Sequence, residues 1–325
     1  MAELVARLDH LPLAIELVAA RIRLMSPRQM LSRMGQRFRL LRGGRSGTGS
    51  RQATLRATID WSWALLADWE QAALTQCSVF EGGFTLEAAE AILDLSALDD
   101  APWPMDAVQS LVDKSLLRPL GENRLGEMRF GMLMSIHDYT REKLAAQDSD
   151  AVEALKQRHM AFFAAMGEPD ALEALSGRDG PAHWWSLAAE VDNLLAATHT
   201  AIAHSAAEEA VRLCSTLHPL ARRRKVSLLT ERIDAVEQMP VLTDTPILCS
   251  RLLLMRNHRE HPPERWTQIL AGYEDALAVF QATGDRLYTG DALLKIASLS
   301  RDQEQLDRSE AVSYTHLTLP TKWWV

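Results

Sequence analysis

The sequence predicts a mainly α fold with one small β element. Three observations lead there. Apolar residues recur at steps of three or four along most of the 325 residues. Only Leu116–Leu120 and Met128–Met134 read as short strands, separated by a turn-rich stretch holding Gly121, Asn123 and Gly126. Gly43–Ser50 (GGRSGTGS) is a flexible linker by composition and divides a short helical segment from the rest.

The first segment, residues 1–42, places Leu4, Leu8, Leu11, Ile15, Val18 and Ile22 on one helical stripe. Pro12 interrupts it, which predicts two short helices meeting at Asp9–Pro12. Ser26-Pro27 reads as an N-cap with proline at the first helical position. After the linker at 43–53, residues 54–147 read as helix, helix, helix, helix, hairpin, helix. Leu55, Ile59, Trp63 and Leu66 form the first stripe. Asp68 is expected to cap the next helix, and Gly82-Gly83 to end it. Thr85, three residues before Ala88, is an N-cap for a helix to Leu93. Met105–Val112 is a fourth helix, and a fifth runs from Ser135 to Gln147. Helices closed by a two-stranded wing are the outline of a winged helix-turn-helix domain. Residues 151–310 read as helices throughout. Ala276-x3-Phe280, a turn at Gly284-Asp285 and a helix over Tyr288–Leu299 carry the spacing of a tetratricopeptide helix pair. The last fifteen residues, AVSYTHLTLPTKWWV at 311–325, resemble the translation of a sequencing adapter and predict no element of the fold.

Composition bounds function. Hydrophobic residues make up 47% and charged residues 24%, an ordinary globular balance. No run of about 18 apolar residues exists, so no membrane partner is expected. Three cysteines without CxxC spacing (Cys77, Cys214, Cys249) predict free, buried thiols in a reducing cytoplasm. The net charge of −8 conceals an asymmetry: residues 1–56 hold eleven Arg against three acids. A basic segment joined to an acidic body suits nucleic acid, nucleotide, or contact between the two.

The templates for chemistry go unfilled. Gly44–Ser50 lacks the lysine of a phosphate-binding loop and follows no strand, so it reads as linker. His258 and His261 precede Pro262-Pro263 without a third ligand, and His199 and His204 share no helix face. No nucleophile stands beside a base in any familiar motif. Arg222-Arg223-Arg224-Lys225 reads as a charge cluster at a helix C-terminus. Trp61, Trp63, Trp184 and Trp185 read as packing residues. An enzyme is not expected.

A series of segments carries a resemblance. Leu8–Arg23 (LDHLPLAIELVAARIR) is similar to the GLPLA region of NB-ARC-type regulatory ATPases of the STAND class. The series continues through Arg37–Leu41 (RFRLL), Thr54–Ser62 (TLRATIDWS), Ser78–Glu90 (SVFEGGFTLEAAE), Leu111–Leu116 (LVDKSL) and Tyr139–Leu144 (YTREKL). Together it resembles bacterial ATPase-type transcriptional regulators of the LuxR-like or winged-helix kind. The resemblance implies a P-loop domain, missing from this sequence, that binds ATP or ADP with magnesium in a full-length parent, a slow ATPase. It implies that Pro12 contacts adenine and that a histidine on the winged domain senses phosphate. His137, in Ile136-His137-Asp138, is that candidate, although strand alignment points instead to Met132-Leu133-Met134, which has none; a helix-surface position is the alternative. His10 stands where the family has glycine. The expected role is a regulatory fragment that binds no nucleotide tightly itself. It relays a protein or small-molecule inducer at the helical repeats to the P-loop domain, with DNA reached through an output domain of the parent. The alternatives are a direct DNA-binding winged-helix regulator and an unrecognised hydrolase. The helix Thr85–Leu93 carries Glu87 and Glu90 and no base, which opposes direct readout.

Overall fold

The computed structural model describes residues 59–98, 100–224, 228–240, 242, 245–256 and 261–302, with Glu3, Ser26, Arg28, Gln29 and Arg56. The segment containing Pro12, the linker at 43–53, His258 and residues 311–325 lie outside these, as do the side chains of the Arg222–Lys225 run. The chain divides into two compact units: Met1–Glu122 with Glu127–Leu155, and Asn123–Gly126 with Lys156–Val325. The described part is mainly helical with one small sheet.

In the first unit a helix at 59–64 precedes α1 (Asp68–Gln76), which runs into a 3-10 turn at Cys77–Val79. Strand β1 (Phe84–Thr85) leads into α2 (Leu86–Ile92), and α3 (Pro104–Asp113) into the hairpin β2 (Arg118–Glu122) and β3 (Met128–Gly131). Helix α4 (Met134–Ala145) follows.

The expected two-stranded wing is there, but the sheet has a third strand, in the order β1-β3-β2, all antiparallel. Phe84 pairs with Phe130, and a two-residue strand shows no alternation by which to be read. Thr85 serves twice: it ends β1, and its hydroxyl accepts from the Ala88 amide to start α2. Asp68 is not the cap of α1. Ala67 holds that position, and the Glu70 carboxylate accepts from the Ala67 amide at 2.9 Å.

Phe84, Leu74, Ile92, Leu111, Leu117 and Tyr139 are fully buried and form this unit's core. The Phe80 and Phe84 rings stack at 4.4 Å. Gly82 and Gly83 turn the chain into β1 at φ 76° and 107°. A Cβ on Gly83 would stand 2.8 Å from both the Phe130 carbonyl oxygen and Leu120 Cδ1. Gly83→Ala is therefore expected to cost about 2 kcal/mol, seen as a lowered denaturation midpoint with unchanged slope.

The second unit continues from α5 (Ser149–Ala165), inside which the division falls. Short helices α6 (Pro169–Ala174) and α7 (Gly180–Ala188) lead to the longer α8 (Val191–Ala203) and α9 (Ala207–Arg224). Then come α10 (Leu228–Glu237), α11 (Pro246–Met255), α12 (Trp266–Thr283) and α13 (Arg286–Asp302). The α12–α13 turn falls at Gly284-Asp285 as the sequence predicts, with Gly284 left-handed at φ 72°. Tyr273, Ala276, Phe280, Tyr288, Ala292 and Ile296 form one buried cluster across that pair. Arg251 pairs with Asp285 at 2.9 Å and lies over the Tyr288 ring, whose hydroxyl bonds Ser215 Oγ at 2.9 Å. His159 is buried beside Asn193, which donates to Glu190 at 2.7 Å. Burial pushes the His159 imidazole down to about 4, so it is neutral in the physiological range.

Some expectations of burial fail. Trp63 and Trp184 pack, with Trp184 only 8% exposed, but Trp61 and Trp185 are 66% and 49% exposed. Helical positions one apart, as in Trp184 and Trp185, point about 100° apart, and positions two apart, as in Trp61 and Trp63, about 200° apart, so one member of each pair faces out. Cys77 and Cys214 are buried, whereas Cys249 is exposed.

Candidate functional site

The sequence-predicted His137 sits on the first turns of α4, half-buried rather than on the helix's solvent side. Its Nε2 lies 3.0 Å from the Phe80 carbonyl. A carbonyl only accepts, so this nitrogen carries the proton in the contact. The ring lines a cleft of about 260 Å³. Gly82, Gly83 and Phe84 contribute from the turn into β1, Leu120 from β2, and Gly131 and Met132 from the end of β3. Arg118 and Met134 line it as well. Met132, Met134 and His137 thus line the same cavity.

The cleft's polar lining is Arg118, Glu81 and His137. Arg118 is exposed and supplies a planar fork suited to an oxyanion. Glu81 is engaged by Arg141 at 2.7 Å. Cys77 also lines the cleft, but burial pushes its thiol up to about 12, so it stays protonated and is a poor nucleophile. The volume falls below the ~300–1,000 Å³ of sites that enclose a drug-sized ligand. Pro12, the adenine candidate, is outside the described residues. Among the described residues, no group of three or more His, Cys, Asp or Glu is arranged to hold a metal. Arg118 and the Gly82-Gly83 pair were visible in the sequence only as a strand residue and a helix end; that they meet depends on β1 pairing with β3.

The helix-turn-helix pair needs a correction. Counting from the helix at 59–64 made the segment Thr85–Leu93 the third helix and hence the reading helix. In the fold, α2 is the first of the pair and α3, immediately before the hairpin, is the second, the one such motifs place in the major groove. Helix α2 exposes Glu87 and Glu90, and α3 exposes Met105, Asp106, Gln109 and Asp113, with no base on either. Lys114, the first cation after α3, is bonded to the buried Glu70 carboxylate. Ser110 donates to that carboxylate at 2.5 Å. Burial opposes the charge of Glu70, but the hydrogen bonds from Lys114, Ser110 and the Ala67 amide outweigh it and hold the carboxyl below its ordinary value.

Helix, strand, helix pair and antiparallel hairpin, in that order with β3 central, define a winged helix-turn-helix module followed by a helical array. Over 221 residues, 68% of this chain, it is 37% identical to proteins named "Putative HTH-type transcriptional regulator" in Mycobacterium tuberculosis and Mycobacterium bovis. Over 161 residues, 49% of the chain, it is 37% identical to an uncharacterized protein of Mycobacterium tuberculosis, of which it covers 40%. The chain spans about a quarter (24%) of the length of the first of these relatives. No family model matches the chain, and no solved structure does. No described helix is long and apolar enough to cross a membrane.

Proposed function

We propose that the chain is the regulatory portion of a longer, ATP-dependent transcriptional switch of the NB-ARC, STAND class that works in the cytoplasm. The helical array, read as tetratricopeptide-like, takes up a protein or small-molecule inducer. The winged module passes that state to a P-loop domain outside these 325 residues. ATP or ADP with magnesium belongs to that domain, whose slow hydrolysis would reset the switch; no catalytic step is assigned to this chain. A switch of this kind needs two packings of comparable free energy that nucleotide and inducer bias in opposite senses.

The observation that carries the reading is the placement of His137 and Arg118 in one small cleft beside an acidic helix-turn-helix face. Such a module touches phosphate with its cleft while its usual DNA-facing helix has nothing to offer a phosphate backbone. Calorimetry tests it. This chain alone is expected to bind Mg-ATP and Mg-ADP weakly. The form extended N-terminally along its reading frame is expected to bind both tightly, and His137→Ala in that form to release ADP faster. Tight Mg-ATP binding by the present chain, or none by the extended form, overturns the proposal.

The relatives' names favour a second reading, a direct DNA-binding regulator, and Arg118 and Arg124 on the hairpin are exposed bases that would serve it. Duplex retardation by this chain that weakens with salt and disappears in Arg118→Ala/Arg124→Ala would establish that reading.

A further inference from the structure

The outward side of α3 has a composition that nucleic acid does not explain. Trp103, Asp106, Gln109 and Asp113 recur at steps of three and four, so they share one stripe of the helix and its N-cap. Trp103 is 63% exposed and the neighbouring Met105 40%. Gln109 donates to Asp113 at 2.8 Å, across the last turn of the helix. Phosphates brought to this stripe would meet carboxylates. A partner with cations and apolar groups would meet its complement.

We infer that the α3 stripe docks the arginine-rich stretch 21–51 of this polypeptide. That stretch holds nine Arg and no Lys, Asp or Glu, interleaved with Ile22, Leu24, Met25, Leu31, Phe38, Leu40 and Leu41. Guanidinium groups suit the stripe in two ways at once: they fork onto carboxylates, and they stack on an indole face. Lysine does the first less well and the second weakly, and the stretch has none. The exposed acids of α2, Glu87 and Glu90, add to the negative field around the pair. The inference goes beyond the nucleotide reading and stands whether or not that reading holds. It makes the helix-turn-helix pair a receptor for protein instead of DNA.

Photo-cross-linking tests it on the full chain. A benzophenone amino acid replacing Trp103 is expected to give adducts that map, after digestion, to residues 21–51. The same probe replacing Trp185, an exposed tryptophan of the other unit, is expected to give none there. Asp106→Lys with Asp113→Lys should lower the Trp103 adduct by about tenfold, since two attractive contacts become repulsive. Molar salt should lower it similarly. If the double reversal misfolds by circular dichroism, Asp106→Asn with Asp113→Asn should still lower the yield several-fold. A monomer-sized adduct identifies the segment of the same chain and a dimer-sized adduct that of a second copy; both support docking. Adducts confined to other segments, no adduct from a folded chain, or capture of added duplex DNA at position 103 would overturn it.

Discussion

Phe280→Ala is expected to destabilise the second unit by about 4 kcal/mol. Phe280 is fully buried, and its ring stacks on Tyr288 at 5.4 Å with an interplanar angle of 25°. Ala276, one turn earlier on α12, is small enough for the partner helix to approach, and Tyr273 and Ala292 close the cluster. Removing the ring forfeits its transfer free energy and its contact with Tyr288, and it leaves a void. That void resists collapse, because the α12–α13 connection is two residues long and Gly284 already occupies the left-handed conformation that sets the turn. The cost should appear as a lower urea midpoint with an unchanged slope. Phe280→Leu fills most of the space and should cost about 1–2 kcal/mol. Trp185→Ala, at a site half-exposed in the same unit, should fall within about 0.5 kcal/mol of wild type. Equal losses at positions 280 and 185 would mean that the packed pair is not what holds the unit.

The features that sequence showed best are the ones built from near neighbours. The α12–α13 pair could be read because Ala276, Phe280, Gly284 and Tyr288 lie within thirteen residues, and each signal is local: a small residue one turn before an aromatic, then a glycine stop. The start of α2 was legible for the same reason, since Thr85 and Ala88 are three apart. Strand β1 was not, because two residues become a strand only when β3 arrives to pair with them. Exposure of Trp61 and Trp185 was not either, since large apolar residues are often left at the surface and composition does not say which. The cleft falls between these cases. His137 was a candidate from its motif, but its neighbours Arg118 and Gly83 come from elements that only the sheet brings together. Glu70 was the least visible. A carboxylate in an amphipathic helix reads as surface, and its cation lies 44 residues away.

That hidden pair gives the second large effect. Lys114→Met is expected to destabilise the first unit by about 2–3 kcal/mol near neutral pH. Glu70 is 2% exposed, so removing its cation strands a carboxylate that two neutral donors satisfy only in part. The estimate stays below that for a fully buried pair because the Lys114 side chain is 44% exposed and solvent screens it. In a unit of this size the loss is on the order of 4–12 °C in Tm. Its pH dependence has a definite sign. In the wild type the folded carboxyl is held below the ordinary 4.5, so its stabilisation is complete above that value. It is lost as pH falls through the lower, folded one. In Lys114→Met the folded carboxyl no longer gains from the cation, and burial raises it. The gap between the two proteins should therefore be widest near neutrality and close as pH drops below about 4.5. A double-mutant cycle separates charge from packing. Adding Glu70→Leu to Lys114→Met removes the stranded carboxylate and should recover part of the loss, less the Ala67 and Ser110 hydrogen bonds that the leucine cannot accept. If the double variant is instead less stable than Lys114→Met by the full cost of Glu70→Leu alone, the two residues do not couple, and the Lys114 contact with Glu70 carries no stability.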